Sequence, residues 1–326
     1  MWSNESEFDI EEAGGNATKL VLLASAFKVG LFSALSEEKD IPALSHALGA
    51  DKRALFIVLE ALSLMGYVNK KNDRYIIADS ARPLFIERGG EYVGGFLPHF
   101  LNIMKAWMVL PEIIKGAKPD KEPRRPDIAS FMGAMESRPD KIIEEVVDRC
   151  LEKKTDAHSV LDLGGGPGKY SKAFIGRGLS AAIYDTSEVI DFVSTEFGLS
   201  GIENLTLMKG DFTEDEFGND INQSFDIVFM GNICHIYSEE ENLNIIKRVN
   251  LLLKPAGMIA IEDFVRGRSP KAELFAVNML ANSIGGNTWS EGQYRQWLKE
   301  AGFIEIEVAD LLDKGKQLIT AFRKHK

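Results

Sequence analysis

The sequence predicts an α/β fold in which a mostly parallel, doubly wound sheet follows an N-terminal helical domain. Three observations predict it. Ser159-Val-Leu-Asp-Leu163 is a short apolar strand that runs straight into Gly164-Gly-Gly-Pro-Gly168 and then a helix. Ser180–Asp185, Asn204–Phe212, Ser224–Gly231 and Gly257–Glu262 follow as further strands separated by longer segments, the pattern of βαβ units. Ahead of them, residues 16–116 carry apolar side chains at helical spacing. The expected divisions are a helical domain over residues 1–118, a linker and connecting helix over 119–156, and the sheet domain over 157–326.

The glycine loop defines the ligand class. Gly164, Gly166 and Gly168 let the backbone turn sharply and approach a ligand closely. A Walker loop has four residues between Gly and Gly-Lys-Ser/Thr, and here three precede Gly168-Lys169-Tyr170. A dinucleotide fingerprint has its third Gly three positions after the second, and counted from Gly166 that position is Lys169. Gly-x-Gly-x-Gly suits an uncharged contact, which points to the methionine and ribose portion of S-adenosylmethionine. Asp185 ends the next strand, 17 positions after Gly168, where a carboxylate can accept both hydrogen bonds of a ribose diol. Asp211 and Phe212 end the third strand, an acceptor for an adenine amino group beside a ring to cover its face.

Composition narrows the setting. Apolar residues make up 45% of the 326, enough for full cores in two domains. The net charge of −11 argues against a general nucleic-acid surface. Two cysteines, Cys150 and Cys234, imply no disulfide framework and fit a reducing cytoplasm. Met1-Trp-Ser-Asn-Glu-Ser-Glu7 has neither the basic start nor the apolar run of a signal peptide, and no apolar run approaches a membrane span. The expectation is a cytoplasmic protein with no membrane partner. No His/Cys/Asp cluster at ligand spacing suggests a metal.

In the front half, Leu20, Leu23, Phe27, Leu31 and Leu35 recur at helical spacing. Ile41–Leu48 is a short helix closed by Gly49, and Asp51 caps a third whose Leu55, Val58, Leu59, Leu62 and Met65 form one face. Gly66–Ile77 reads as a hairpin around Asn72-Asp73. This is the element order of a winged helix. The third helix balances Lys52 and Arg53 with Asp51 and Glu60, which suits packing or a dimer interface better than a phosphate backbone. Gly94–Gly116 is a mostly apolar helical stretch that Pro98 and Pro111 start, kink or split. Lys115–Pro126 reads as a charged, proline-rich linker. Phe131–Met135 opens a helix running towards Cys150.

His235 follows the fourth strand and falls at the edge where the glycine loop lies. A neutral hydroxyl is a weak nucleophile, and imidazole is the side chain suited to take its proton near neutrality. Glu262, ending the neighbouring strand, is expected to fix the imidazole tautomer and stabilise its cation. With these residues in place, the chain resembles the S-adenosylmethionine-dependent O-methyltransferases of the class that includes caffeate and hydroxyindole O-methyltransferases, over about Asn16 to Arg323. The resemblance implies a class I methyltransferase domain with a Rossmann-like seven-stranded sheet, and a winged-helix domain that forms a homodimer. Leu161–Gly168 matches the cofactor loop and assigns Asp162, Gly164, Gly166 and Gly168 to it, beside Asp185, Asp211 and Phe212. Ile233-Cys-His235 matches the segment of the catalytic base, and Ile259–Glu262 the strand whose Glu orients it. Phe131–Met135 resembles the segment that lies over substrate and methyl donor, and Ala301-Gly-Phe303 with Gln317–Phe322 resembles a closing antiparallel hairpin.

Three positions depart from that pattern. Ile236-Tyr237 stand where the family usually has Asp-Trp, Thr288 where an acid is common, and Gly231 where a Lys often sits. The expected reaction is O-methylation of a small aromatic or polycyclic acceptor, with Trp107, Phe131, Met135, Met279 and Asn282 as pocket candidates. Three alternatives stay open: C- or N-methylation on the same fold, for example of a tetrapyrrole-like ring; a cofactor-binding winged-helix regulator without catalysis; and a non-catalytic member that binds cofactor only to hold the fold.

Overall fold

A computed structural model of the chain describes residues 9–87, 89, 91–119, 127–214, 217, 218, 221, 224–312 and 314–325. Residues 120–126 of the expected linker lie outside the described residues. In chain order the first elements are α1 (Ile10–Lys28), α2 (Leu31–Ala34), β1 (Lys39–Asp40), α3 (Ile41–Leu48), α4 (Lys52–Leu64), β2 (Val68–Lys71), β3 (Arg74–Ile77) and α5 (Arg82–Phe85). Next come α6 (Phe96–Trp107), α7 (Leu110–Ile114), α8 (Ile128–Glu136) and α9 (Asp140–Lys153). Two compact units result: one up to Lys105 together with Ala129–Ser137, the other Ala106–Ile128 together with Arg138 onward. These divisions are drawn differently from the sequence reading, which cut at 118 and 156.

Local signals account for the first unit. Asp9, Asp40 and Asp51 cap α1, α3 and α4, each carboxylate accepting from backbone N–H groups of the first turn at 2.8 Å. Gly49 ends α3 in the left-handed conformation. Asn72 and Asp73 form the two-residue loop between β2 and β3, both with positive φ, as the right-handed twist of a hairpin demands. Leu31, Phe32, Leu44, Leu59, Leu62, Tyr75 and Ile77 fill the core.

The sequence predicts one helix opening at Phe131–Met135 and running towards Cys150, and the structure has two. Pro139 holds the residue before it out of the helical region and stands directly ahead of α9. Likewise Pro111 sits in the first turn of α7, so the Gly94–Gly116 stretch divides between α6 and α7.

The second unit contains β4 (Ser159–Leu163), α10 (Lys169–Ile175), β5 (Ser180–Asp185), α11 (Ser187–Glu196), β6 (Leu205–Lys209), β7 (Phe225–Gly231), α12 (Glu239–Leu252) and β8 (Leu253–Asp263). It continues with β9 (Val265–Arg266), α13 (Ala272–Asn282), β10 (Trp289–Ser290), α14 (Glu291–Glu300), β11 (Phe303–Asp310) and β12 (Gln317–Arg323). Seven strands form one sheet in the order β6-β5-β4-β7-β8-β12-β11. The five from β6 to β8 are parallel, and β12 runs antiparallel to both of its neighbours. Strand order reverses between β4 and β7, which opens a crevice beyond their carboxyl ends. One sheet face packs Val160, Ile227, Phe229, Met258 and Ala260 with α9 and α10, the latter through Phe174. The other packs Leu161, Val228, Met230, Ile259 and Ile261 with α12 and α14. Among the described residues no helix is long and apolar enough to cross a membrane.

Asp162 lies beneath the glycine loop, 1% exposed, and accepts from the Ser171 hydroxyl at 2.7 Å. A Cβ on Gly165 would stand 2.8 Å from the Asp162 carboxyl carbon, so loop and acid are packed to the backbone. Burial pushes this carboxyl up to about 7, partly offset by the Ser171 hydrogen bond. Between about pH 4 and 7 the folded state then binds a proton that the unfolded state releases, and stability falls as pH rises through that window. The expected outcome is that Asp162→Asn gains on wild type as pH is raised from 4 to 8, by up to about 4 kcal/mol, in urea unfolding. Parallel stability curves for the two proteins would contradict it.

Candidate active site

The glycine loop closes β4 at the crevice. Gly164 and Gly168 have φ of 70° and 73°, and Gly166 has 49°. A Cβ on Gly164 would lie 2.4 Å from Ile233 Cδ1 and 3.6 Å from a Phe212 ring carbon, so loop, Phe212 and the segment after β7 converge there. Asp185, at the end of β5, accepts from Gly166 N at 3.0 Å and from Thr186 N at 2.8 Å, one bond to each carboxylate oxygen. Each oxygen keeps lone-pair capacity for a diol, and burial raises the carboxyl pKa above its ordinary value. Past β6, Asp211 is exposed; one oxygen accepts from Thr213 N and its hydroxyl, and the other has no hydrogen-bond partner among the described residues. Phe212 is buried beside it, edge-on to Tyr237 at 5.7 Å. A backbone cradle, a buried carboxylate and a ring beside a second carboxylate fit an adenosyl group carrying a methionine chain.

Beyond β7 the chain passes through Asn232, at φ 63°, into a tight turn over Cys234–Ile236 that carries His235. Buried Asn242 of α12 pins this turn by donating to the carbonyls of Cys234, Tyr237 and Ser238 at 2.8, 3.0 and 2.9 Å. Trp289 Nε1 donates to Cys234 O at 2.9 Å, and Asn287 N to His235 O at 2.9 Å. His235 is 6% exposed, and its Nδ1 lies 2.7 Å from Asp263 Oδ1. Asp263 also accepts from His235 N at 3.0 Å and Phe264 N at 2.7 Å. With Asp263 on Nδ1–H, the neutral ring keeps a lone pair on Nε2, which has no partner among the described residues.

The partner of His235 is therefore Asp263, where the sequence reading expects Glu262. Alternation along β8 is the reason. Met258, Ala260 and Glu262 face α9 and α10, whereas Ile259, Ile261 and Asp263 face the layer that holds the His235 turn. Glu262 instead receives both terminal nitrogens of Arg138, at 2.7 and 3.2 Å, the Tyr170 hydroxyl at 2.6 Å and Asn232 Nδ2 at 3.2 Å. Burial alone would raise its pKa; the charges of Lys316 and Arg138, with these bonds, hold it down to about 2. A carboxylate so strongly held is no proton acceptor near neutrality. Tyr170 also explains Gly231: a Cβ there would stand 2.8 Å from the Phe229 ring and 3.3 Å from that of Tyr170. Thr288 is buried and donates to Ala272 O at 3.1 Å, tying α13 rather than the imidazole.

Of the pocket candidates, Trp107 closes α6 and donates from Nε1 to Asn278 Oδ1 at 3.0 Å. Met279 is buried in α13, and Asn282 is exposed at its end, bonded to Asn278. Phe131 and Met135 are half-buried one turn apart on α8 in the first unit, Phe131 edge-on to His99 at 5.3 Å. The sequence reading missed Phe264 and Phe275, whose rings lie 4.2 Å apart, Phe275 standing edge-on to His235 at 4.8 Å. It also missed Arg138, Tyr170 and Asp263.

Residues 109–304 match the family described as O-methyltransferase domain. The chain is 24% identical over 321 residues to 3-hydroxy-5-methyl-1-naphthoate 3-O-methyltransferase of Streptomyces sahachiroi, covering 93% of this chain and 91% of that protein. It is 25% identical over 312 residues to the tetracenomycin polyketide synthesis 8-O-methyl transferase TcmO of Streptomyces glaucescens, covering 87% of each. Among solved structures, human N-acetylserotonin methyltransferase in complex with SAM superposes with a TM-score of 0.79 at 18% identity over the whole of both chains. PigF with SAH superposes with a TM-score of 0.80 at 19% identity, over 97% of this chain and all of the other. Its class I sheet, its N-terminal helical domain and the match over 109–304 place the chain in the O-methyltransferase domain family: it is an S-adenosylmethionine-dependent O-methyltransferase.

Proposed function

We propose that the protein methylates a hydroxyl on a small aromatic or polycyclic acceptor, with His235 as general base and Asp263 as its positioning carboxylate. The buried 2.7 Å contact between His235 Nδ1 and Asp263 carries this reading. S-adenosylmethionine supplies a methyl group on a sulfonium, an electrophile that needs only an aligned nucleophile. Gly164, Gly166 and Gly168 would hold its amino-acid part, Asp185 its ribose, and Asp211 with Phe212 its adenine, while Asp162 supports the loop from below. His235 Nε2 takes the acceptor's hydroxyl proton as the oxygen attacks, and Asp263 stabilises the resulting imidazolium. Rings at Phe264 and Phe275 beside His235 supply a flat apolar wall suited to an aromatic acceptor. The naphthoate and tetracenomycin relatives, by their names, act on such ring systems, which supports the acceptor class.

We also read the first unit as a winged-helix dimerisation domain. α4 leaves Phe56 and Ile57 about half exposed and Leu64 90% exposed, an apolar surface suited to a second copy of the chain. The acidic balance suits a small-molecule acceptor and no nucleic-acid partner, and the two buried free cysteines suit a cytoplasmic setting.

Three variants test the chemistry. His235→Ala should bind S-adenosylhomocysteine normally and lower turnover by about 10²–10⁴-fold. Asp263→Asn should lower turnover by about 10²-fold or more and, by setting an amide NH2 against an N–H donor, cost roughly 1–3 kcal/mol of stability. Glu262→Gln should affect turnover less and stability more, depriving the half-buried Arg138 of its counter-charge at a cost of about 3–5 kcal/mol in urea unfolding. Unchanged turnover in His235→Ala, or a larger turnover loss in Glu262→Gln than in Asp263→Asn, would overturn the assignment. In sedimentation velocity the wild type should run as a dimer and Leu64→Glu as a monomer or a weakened dimer; a monomeric wild type would refute the dimer.

A further inference from the structure

Beyond His235, α13 carries Phe275, Asn278 and Asn282 at spacings of three and four, which puts them on one stripe of the helix. Phe275 meets the imidazole edge-on at 4.8 Å, and Asn278 lies one helical turn further along. The orientation of the Asn278 amide is fixed by chemistry. Trp107 Nε1–H can only donate, so the atom it meets at 3.0 Å is the amide oxygen. Asn282 Nδ2 donates to that same oxygen at 3.1 Å and to the Asn278 backbone carbonyl at 2.9 Å. The oxygen is thus occupied twice, while Asn278 Nδ2 turns the other way with no partner among the described residues. Asn278 is half-buried, and its two N–H groups keep their donor capacity for a ligand.

We propose that Asn278 selects acceptors that carry a carbonyl or carboxylate oxygen about one helical turn from the hydroxyl presented to His235. Three residues of helix rise about 4.5 Å, the scale of one aromatic ring with its substituent. A hydroxyaryl carbonyl compound lying along Phe275 gives the imidazole its hydroxyl and the amide its missing acceptor. A phenol without that second oxygen offers the two donors no acceptor. This specificity rests on the proposed acceptor class and on His235 as the base. It adds a determinant that neither of them requires.

The test is calorimetric binding to the S-adenosylhomocysteine-loaded protein, with 3-hydroxy-2-naphthoate and 2-naphthol as matched probes. Wild type should bind the naphthoate at least about 10-fold more tightly than the naphthol. Asn278→Asp keeps an oxygen for Trp107 and Asn282 but replaces the donor with a second oxygen of the same shape. It should weaken the naphthoate by about 10-fold or more and leave the naphthol within about 2-fold. Equal affinities in wild type, equal losses for both probes in the variant, or no binding of either probe at millimolar concentration would overturn the proposal. Methyl transfer is read separately. A naphthoate that binds with the expected preference but is never methylated would count against the His235 chemistry, while the binding ratio would still uphold Asn278.

Discussion

Glu262 and Asp263 are consecutive residues at the carboxyl end of a central strand, and neither has any exposed surface. Burying one carboxylate costs several kcal/mol unless charge and hydrogen bonds replace its water, and here two are buried side by side in sequence. The strand's alternation makes this tolerable by sending them to opposite faces. On one face Arg138, Tyr170, Asn232 and Lys316 surround Glu262. On the other, two backbone amides and the imidazole of His235 surround Asp263. The first cluster ties the segment ahead of α9, α10 and the ends of β7 and β8 together, and the second fixes the His235 ring, the proposed base. A one-residue slip of β8 would exchange the two acids and break both arrangements.

The site around them is assembled from backbone that has little freedom left. Asn242 holds three carbonyls of the His235 turn, and Trp289 reaches one of the same carbonyls from β10. Gly286 has room for no side chain, since a Cβ would lie 2.5 Å from the His235 carbonyl. The imidazole is therefore positioned by elements on both sides of it and not only by its carboxylate. That rigidity suits proton transfer, where a group displaced by an ångström loses much of its effect.

Much of this architecture was legible in the sequence because it is written in local signals. Glycines at the loop, Asn72-Asp73 in the hairpin, and aspartates before α3 and α4 each state a backbone conformation directly. His235 could be located because β7 delivers it to the same edge as the glycine loop. Which of two adjacent acids faces it could not be read. Gly257–Asp263 is covered on both faces, so it shows no polar alternation that would reveal its faces. Only the pairing of β8 with β7 and β12 decides the matter. Arg138 escaped notice for a related reason: its partner lies 124 residues away, and Pro139, read as part of a continuous helix, in fact sets the break that delivers it. On α13, residue type points to Met279 and Asn282. The residue of α13 that meets His235 is instead Phe275, with Asn278 one turn further along the same stripe.

The central claim is that Asp263 holds His235 in the tautomer that leaves Nε2 free to accept a proton. It is tested most directly by the ring nitrogen shifts of His235 in uniformly ¹⁵N-labelled protein saturated with S-adenosylhomocysteine, assigned by comparison with His235→Ala. The account predicts that the neutral ring carries its proton on Nδ1, with Nε2 unprotonated. A neutral ring protonated on Nε2 would contradict it.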